Sequence, residues 1–229
     1  MSGANGRKCA VCGAPAPAPF RAPQPEIAPD LDMRPGEPTR STLRDWVQTC
    51  GNCGAAGPDL ARLPEGAGRV IRSAPYQALI HEGAEETLPF RRWATICRES
   101  DDPREAAEAM LQAAWAADDA NTMSEAAALR REVAALWADA TDEETCLRRV
   151  DVLRRAGDLE AAEAFAAECA ARISDEAGAA VLAFQRARIA ARDIGRHLIS
   201  SAMPPPAHAP HVSHGKRPTP KFWERLFRR

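Results

Sequence analysis

The sequence predicts a mainly α-helical protein with a small metal-pinned module at its N-terminus, an array of paired helices behind it and a disordered tail. Three observations carry that expectation. Two identically spaced cysteine knuckles, Cys9-Ala10-Val11-Cys12-Gly13 and Cys50-Gly51-Asn52-Cys53-Gly54, stand in the first quarter of the chain. From Ser73 onward, apolar residues recur at spacings of three and four between repeated helix-start patterns. Pro204-Pro205-Pro206 then opens an end rich in proline, histidine and basic residues. The implied boundaries are 7–60 for the cysteine module and its insert, 61–72 for a linker, 73–202 for the helices and 203–229 for the tail.

Two residues between the thiols of a knuckle let both sulfurs meet one ion, and the trailing Gly13 and Gly54 let the backbone wrap back at positive φ. Four thiolates with no spare ligand suit Zn²⁺ held for structure, because a catalytic zinc normally keeps one position for water. Cys9, Cys12, Cys50 and Cys53 are thus the expected ligands and structural Zn²⁺ the expected cofactor, in a zinc-ribbon-like module. Disulfides are a competing reading. The opening Met1-Ser2-Gly3-Ala4-Asn5-Gly6 has no apolar signal core, so a reducing cytoplasm is expected, where disulfides are rare. A redox pair accounts for one C-x-x-C but not two, and neither knuckle lies between a strand pattern and a helix pattern. Iron–sulfur ligation stays open beside zinc.

Composition narrows the core. Of 229 residues, 45% are hydrophobic but only 5% aromatic, and alanine supplies much of the apolar count. That favours closely packed helices over a sheet-rich interior. A formal charge of −2 exerts no global pull toward nucleic acid or membrane. No run approaches the roughly 18 apolar residues of a membrane span. Cys97, Cys146 and Cys169 remain after the knuckles are counted, and all three fall in helical patterns as expected buried thiols.

Between the knuckles, the prolines from Pro15 to Pro38 are dense enough to exclude helix and interior strand. An extended loop pinned at both ends by the metal is expected. Its second half, Pro29-Asp30-Leu31-Asp32-Met33-Arg34-Pro35, admits two readings of Asp30, Asp32 and Arg34: a functional carboxylate pair with a cation, or an ion-paired loop packed on a small domain. Trp46-Val47-Gln48-Thr49 has strand character leading into the second knuckle. Pro58, Pro64, Gly66 and Gly68 mark the linker.

Ser73 before Pro75 and Thr87 before Pro89 are compatible with helix entry. Capping boxes are expected at Asp102/Glu105, Thr122/Glu125 and Thr141/Glu144. The helix after Thr122 should bury Ala126, Leu129, Val133, Leu136, Trp137 and Ala140, and the helix after Asp158 should bury Ala162, Phe165, Ala166, Cys169 and Ile173. Flanking helices over 74–99 and 175–202 should cover the ends. The unit from Cys146 to Ile173, turning at Gly157, resembles a tetratricopeptide repeat; an earlier copy spans Met110 to Leu129 and turns at Asn121, a residue type that tolerates the left-handed conformation. An irregular helical bundle is the alternative.

Cys9, Cys12, Asp30, Asp32, Trp46-Val47 before Cys50, Cys53-Gly54 and Ala114-Trp115 together resemble a bacterial family of unknown function that joins a zinc-ribbon-like module to tetratricopeptide-like helices. The resemblance covers about residues 7–175. Ala10 and Gly51 stand where such knuckles often carry proline, and Ala55 where an aromatic is expected. The resemblance implies a fold and a metal, and no reaction.

Motifs for phosphate-loop, serine-hydrolase and metalloprotease chemistry are absent from the sequence, His81 and His197 are isolated, and no carboxylate pair is singled out, so an enzyme is not expected. His208, His211 and His214 punctuate the tail, either as weak metal ligands or as incidental composition. The terminal nonapeptide combines Phe222, Trp223, Leu226 and Phe227 with Lys221, Arg225, Arg228 and Arg229, and would be amphipathic as a helix. Those four apolar residues are the expected partner contacts, against a protein groove or weakly against an anionic membrane surface. The functional expectation is a non-enzymatic cytoplasmic adaptor with a protein or peptide partner and no small-molecule substrate. A nucleic-acid-associated zinc ribbon is the alternative, disfavoured by scattered Arg and Lys and acidic central helices. An enzyme in the ribbon–helix cleft around Asp30, Asp32 and Arg34 is a third reading.

Overall fold

A computed structural model describes residues 6–203. The tail positions named above, from His208 to Phe227, lie outside the described residues. The front of the chain holds a two-stranded antiparallel ribbon, β1 (Gln48–Thr49) and β2 (Ala56–Gly57), in which Gln48 faces Gly57 and Thr49 faces Ala56. Among the described residues eight α-helices follow: α1 (Ala67–Val70), α2 (Ala74–Ala78), α3 (Leu88–Arg98), α4 (Pro103–Asp119), α5 (Met123–Leu136), α6 (Glu143–Arg155), α7 (Leu159–Cys169) and α8 (Glu176–Ala190). The protein is mainly helical, as the alanine-rich periodicity implies, and no described helix is long and apolar enough to cross a membrane.

Helix α4 is the centre of the body. It is buried on most of its circumference, with Ala106, Ala107, Ala113, Ala114 and Ala117 letting α3 and α5 approach closely and Met110, Leu111 and Trp115 filling the remaining gaps. α6 continues from α5 and pairs with α7, and α8 packs on both. The apolar faces expected on α5 and α7 are largely the ones buried: Ala126, Leu129, Val133 and Trp137 on one, Ala162, Phe165, Ala166 and Cys169 on the other. Leu136, Ala140 and Ile173 are only partly covered.

The turns between paired helices share one physical device. After α4, Thr122 N–H donates to Ala117 C=O (2.9 Å) around Asn121 at φ 58°. After α6, Asp158 N–H donates to Leu153 C=O (3.1 Å) around Gly157 at φ 83°. These are left-handed C-caps that satisfy otherwise orphaned carbonyls. A side chain at Gly157 would meet nothing within 4 Å, so its substitution tests backbone strain alone. Gly157→Val should lower stability by about 1–2 kcal/mol, read from the chemical unfolding midpoint, with no change in the denaturant slope.

The same device explains where the expected long last helix stops. Instead of running over 175–202, α8 ends at Ala190, with Asp193 N–H bonded to Arg188 C=O (2.9 Å) around Arg192 at φ 55°. The chain then doubles back extended and reaches the insert between the knuckles. Leu31 N–H donates to His197 C=O (3.0 Å) and Ile199 N–H to Pro29 C=O (2.9 Å), so the end of the helical region and the proline-rich segment hold each other. The expected helix over 74–99 is likewise broken. α2 gives way to a 3₁₀ turn over Leu79–His81, and Gly83 sits at φ 68° before α3 begins.

Of the three expected capping boxes, only the first half of the one at Asp102/Glu105 is present, and the one expected at Thr141/Glu144 is replaced by a different cap. Asp102 accepts from Glu105 N–H (3.0 Å), and the cap of α6 is Asp142 rather than Thr141, accepting from Thr145 N–H (2.9 Å). At α5 the box does not form. The Thr122 hydroxyl donates back to Ala117 C=O, and the Glu125 carboxylate instead accepts from Ala84 N–H (2.9 Å) and the Thr87 hydroxyl (2.8 Å), tying down the α2–α3 corner. Residues 61–72 carry α1 and bury Ala67, Val70 and Ile71 in the common core. That core also takes in Leu31, Leu43, Val47 and Leu60 from the front.

Candidate metal centre

Each knuckle forms the tip of a narrow turn, and the two turns repeat bond for bond. Cys9 N–H donates to Ala14 C=O (2.8 Å) and Gly13 N–H to Cys9 C=O (2.9 Å). Cys50 N–H donates to Ala55 C=O (2.8 Å) and Gly54 N–H to Cys50 C=O (2.8 Å). Gly13 at φ 73° and Gly54 at φ 74° take the left-handed conformation that the wrap requires. The second tip crowns the β1–β2 ribbon, and the first crowns a single bridge between Lys8 and Pro15.

This near-twofold arrangement brings the four Sγ atoms within 4.8 Å of one another. Cys9 Sγ lies 3.8 Å from Cys53 Sγ, and Cys12 Sγ 3.6 Å from Cys50 Sγ. A tetrahedron with the usual Zn–S length of about 2.3 Å has S···S edges of about 3.8 Å. The donor set therefore fits a four-coordinate thiolate-binding ion in both number and spacing, and the sequence-predicted ligands are the residues brought together.

The surroundings tune the thiols unequally. The Asn52 side chain and the backbone at Ala14 bond to the Cys12 sulfur and bring its pKa down to about 6, whereas burial pushes Cys53 up to about 12. Cys12 is exposed and Cys9 and Cys50 are buried, so the cluster presents one edge to solvent and one to the protein. Two residues not anticipated from sequence fix the buried edge. Tyr76, fully buried on α2, donates its hydroxyl to Gly54 C=O (2.8 Å). Arg92 on α3 lies over the Tyr76 ring (5.4 Å) with its guanidinium beside Gly54. A tetrathiolate zinc site carries net negative charge, which a neighbouring guanidinium offsets. The sequence hint was a lone tyrosine in an aromatic-poor chain.

The Asp30, Asp32 and Arg34 segment is placed in a different surrounding. It turns through Met33 at φ 70°, with Asp30 N–H bonded to Arg34 C=O (2.9 Å), and inserts against α4, α5 and α6. Asp32 is 0% exposed. Its carboxylate accepts from Trp115 Nε1 (2.9 Å) and Arg155 Nη1 (2.9 Å), with Arg130 at 3.8 Å, while its backbone carbonyl accepts from Arg148 Nε (3.3 Å). Burial alone would raise its pKa, but Arg155 and Arg130 together with the Trp115 hydrogen bond hold it down at about 2. Asp30 behaves oppositely. Burial and its neighbour Asp32 raise its pKa against the opposing pull of Arg40, and its Oδ1 has no partner. Arg34 pairs with Asp119 and gives Nη1 to Trp115 C=O (3.2 Å).

Asp32 is therefore an anchor for the insert. Its Oδ2 is engaged by Trp115 and Arg155, its Oδ1 accepts from Arg34 N–H (3.3 Å), and its backbone carbonyl is taken by Arg148. His197, the isolated histidine on the returning segment, bonds Asp193 (2.8 Å) and meets the Phe184 ring edge-on; His81 lies in the 3₁₀ turn after α2. No family model, curated protein or solved structure matches the chain.

Proposed function

We propose that this protein is a zinc-stabilised, non-enzymatic scaffold whose helical pairs present a surface to a protein or peptide partner in the cytoplasm. The observation that carries the reading is the tetrahedral spacing of Cys9, Cys12, Cys50 and Cys53: all four positions around the ion are taken by thiols, which leaves no site for water or substrate. The paired helices with matching left-handed turns support a tetratricopeptide-like arrangement, and arrays of that kind bind along an extended face. The amphipathic end at Phe222, Trp223, Leu226 and Phe227 belongs to the same proposal as a second contact.

Two measurements test it. Protein purified under reducing conditions should hold one zinc per chain by elemental analysis, released at neutral pH on thiol modification; metal-free protein with an intact fold would remove the basis of the reading. Cross-linking in cells, with full-length chain and with a chain lacking 204–229, should give cross-links on the helical face and in the tail. Their absence from both would argue against a scaffold.

A further inference from the structure

We infer that the cleft beside the Asp32 anchor binds a small oxyanion, phosphate or carboxylate, that carries an apolar substituent. Five segments converge on it: the insert, the end of α4, the first turns of α5, the end of α6 and the chain returning after α8. The cleft encloses about 500 Å³, inside the roughly 300–1,000 Å³ range of small-molecule sites.

Arginines predominate among its polar lining residues. Arg34, Arg40, Arg130, Arg155 and Arg196 line it, against two carboxylates, Asp118 and Asp119. Of the four acids that these arginines reach, Asp118 and Asp32 have both oxygens engaged. Asp118 takes both Nη groups of Arg130 (3.0 and 2.5 Å) and one of Arg155 (2.6 Å), and Asp32 takes the other Nη of Arg155. Arg40 gives one N–H to Asp30 (3.0 Å). Each guanidinium carries five donors, and most of the donors of the five have no acceptor among the described residues. The buried Nε atoms of Arg34 and Arg130 have no acceptor, and among the described residues Arg196 forms no ion pair. Against the five arginines stand four carboxylates in all among the described residues, Asp30, Asp32, Asp118 and Asp119, so the cluster leaves one positive charge, that of Arg196, without an internal partner. Here the surplus consists of planar donors, which match phosphate and carboxylate oxygens two at a time.

The rim supplies the apolar half. Among the described residues, Met123 and Ile194 are two of the few large hydrophobic residues left exposed, at 55% and 54%, and both border this cleft with Ala127 and Ala156. A neighbouring hollow of about 330 Å³ shares Arg40 and Asp119 with it and is lined by Leu43, Phe90 and Ala116. An anionic head among the arginines thus has apolar surface within reach of its substituent. The chain carries a net charge of −2 with its Arg and Lys scattered along the sequence, which suits a compact ligand in this cleft rather than a polyanion needing a continuous basic stripe.

The test is calorimetric titration of full-length, zinc-loaded protein at low ionic strength with phenyl phosphate, phenylacetate and inorganic phosphate. One aryl anion should bind saturably at one per chain, and inorganic phosphate more weakly than phenyl phosphate if phosphate is the preferred head group. Tighter phenylacetate identifies a carboxylate ligand instead. Arg196→Ala, at an exposed and unpaired position, should fold normally and weaken the preferred probe about tenfold, the usual scale for losing a hydrogen bond to a charged group. Saturable binding by neither aryl anion, or affinity unchanged in Arg196→Ala, overturns the inference. Either failure leaves the zinc reading untouched, because none of the cleft residues is a cysteine ligand.

Discussion

Asp32→Asn should cost about 3–5 kcal/mol, because it removes a fully buried charge that Arg155, Arg130 and Trp115 converge on, and leaves those cations facing a neutral amide. Single domains are typically stable by only about 5–15 kcal/mol, so this substitution alone brings the fold near its limit. The effect has a defined pH dependence. The folded pKa of Asp32, about 2, lies below the ordinary carboxylate value of 3.8. Between those values the unfolded chain binds more protons than the folded one, so the contribution is fully present above about pH 4 and is lost as pH falls toward 2. Asp30 is shifted upward by burial, and its share runs the other way, fading as pH rises through its folded pKa. Subtracting variant from wild type isolates Asp32, and acid-induced metal loss, common to both chains, cancels in the difference. Denaturant midpoints from pH 2.5 to 7 should show a large gap at neutral pH that narrows below pH 4. Equal midpoints at pH 7, or a gap that persists unchanged in acid, would contradict the anchor. Asp30→Asn is the internal control and should cost no more than about 1–2 kcal/mol, since one of its oxygens is already without a partner and Arg40 is partly hydrated.

Why Asp32 could be noticed in the sequence but not understood there is a matter of distance along the chain. Its partners Trp115, Arg130 and Arg155 lie 83 or more positions away, and nothing local distinguishes a carboxylate bound for burial from one on a solvated loop. A partial hint existed in α6, where Arg148, Asp151 and Arg155 form a charged stripe on a helix that also buries Leu147, Val150 and Val152. Charges on a helix buried on several sides must find partners. The knuckles were legible because their geometry is local: a C-x-x-C-G turn carries its own backbone bonds. Asn121 and Gly157 were legible for the same reason, since a left-handed cap selects residue types. Arg192 occupies the same conformation with no such preference, so the end of α8 gave little local notice and a helix was expected to continue to 202. Thr122 forms no capping box because its hydroxyl is turned to Ala117 C=O and the Glu125 carboxylate is taken by Ala84 N–H and Thr87 across the α2–α3 corner. The insert read correctly as non-helical, but its burial depends on the returning segment after α8, whose pairing at Leu198 no local pattern foretells.

Cys50→Ser should abolish stoichiometric zinc binding, since thiolate sites of this kind contribute an apparent 10–16 kcal/mol or so at neutral pH and a hydroxyl is a poor substitute ligand. Cys50 is buried and starts the second knuckle, so the loss should spread through bonds that the ion holds in register: the amides of Cys9 and Gly13 in one turn, and Cys50 and Gly54 in the other. These should pass from protected to freely exchanging in hydrogen-exchange measurements. The insert should respond differently. The Leu31 amide bonds to His197 C=O on the returning segment and the Ile199 amide bonds back to Pro29 C=O of the insert, both close in sequence or space to Asp32, which Arg155 and Trp115 grip without help from the metal. Their protection should survive in Cys50→Ser, together with that of the helices. A variant that keeps full zinc stoichiometry would count against the four-cysteine site. Simultaneous loss of protection at Leu31 and Ile199 would mean instead that the ion, and not the buried carboxylate, seats the insert. The two anchors are thereby separable, because Asp32→Asn should produce the opposite pattern, loosening Leu31 and Ile199 while the knuckles retain their metal.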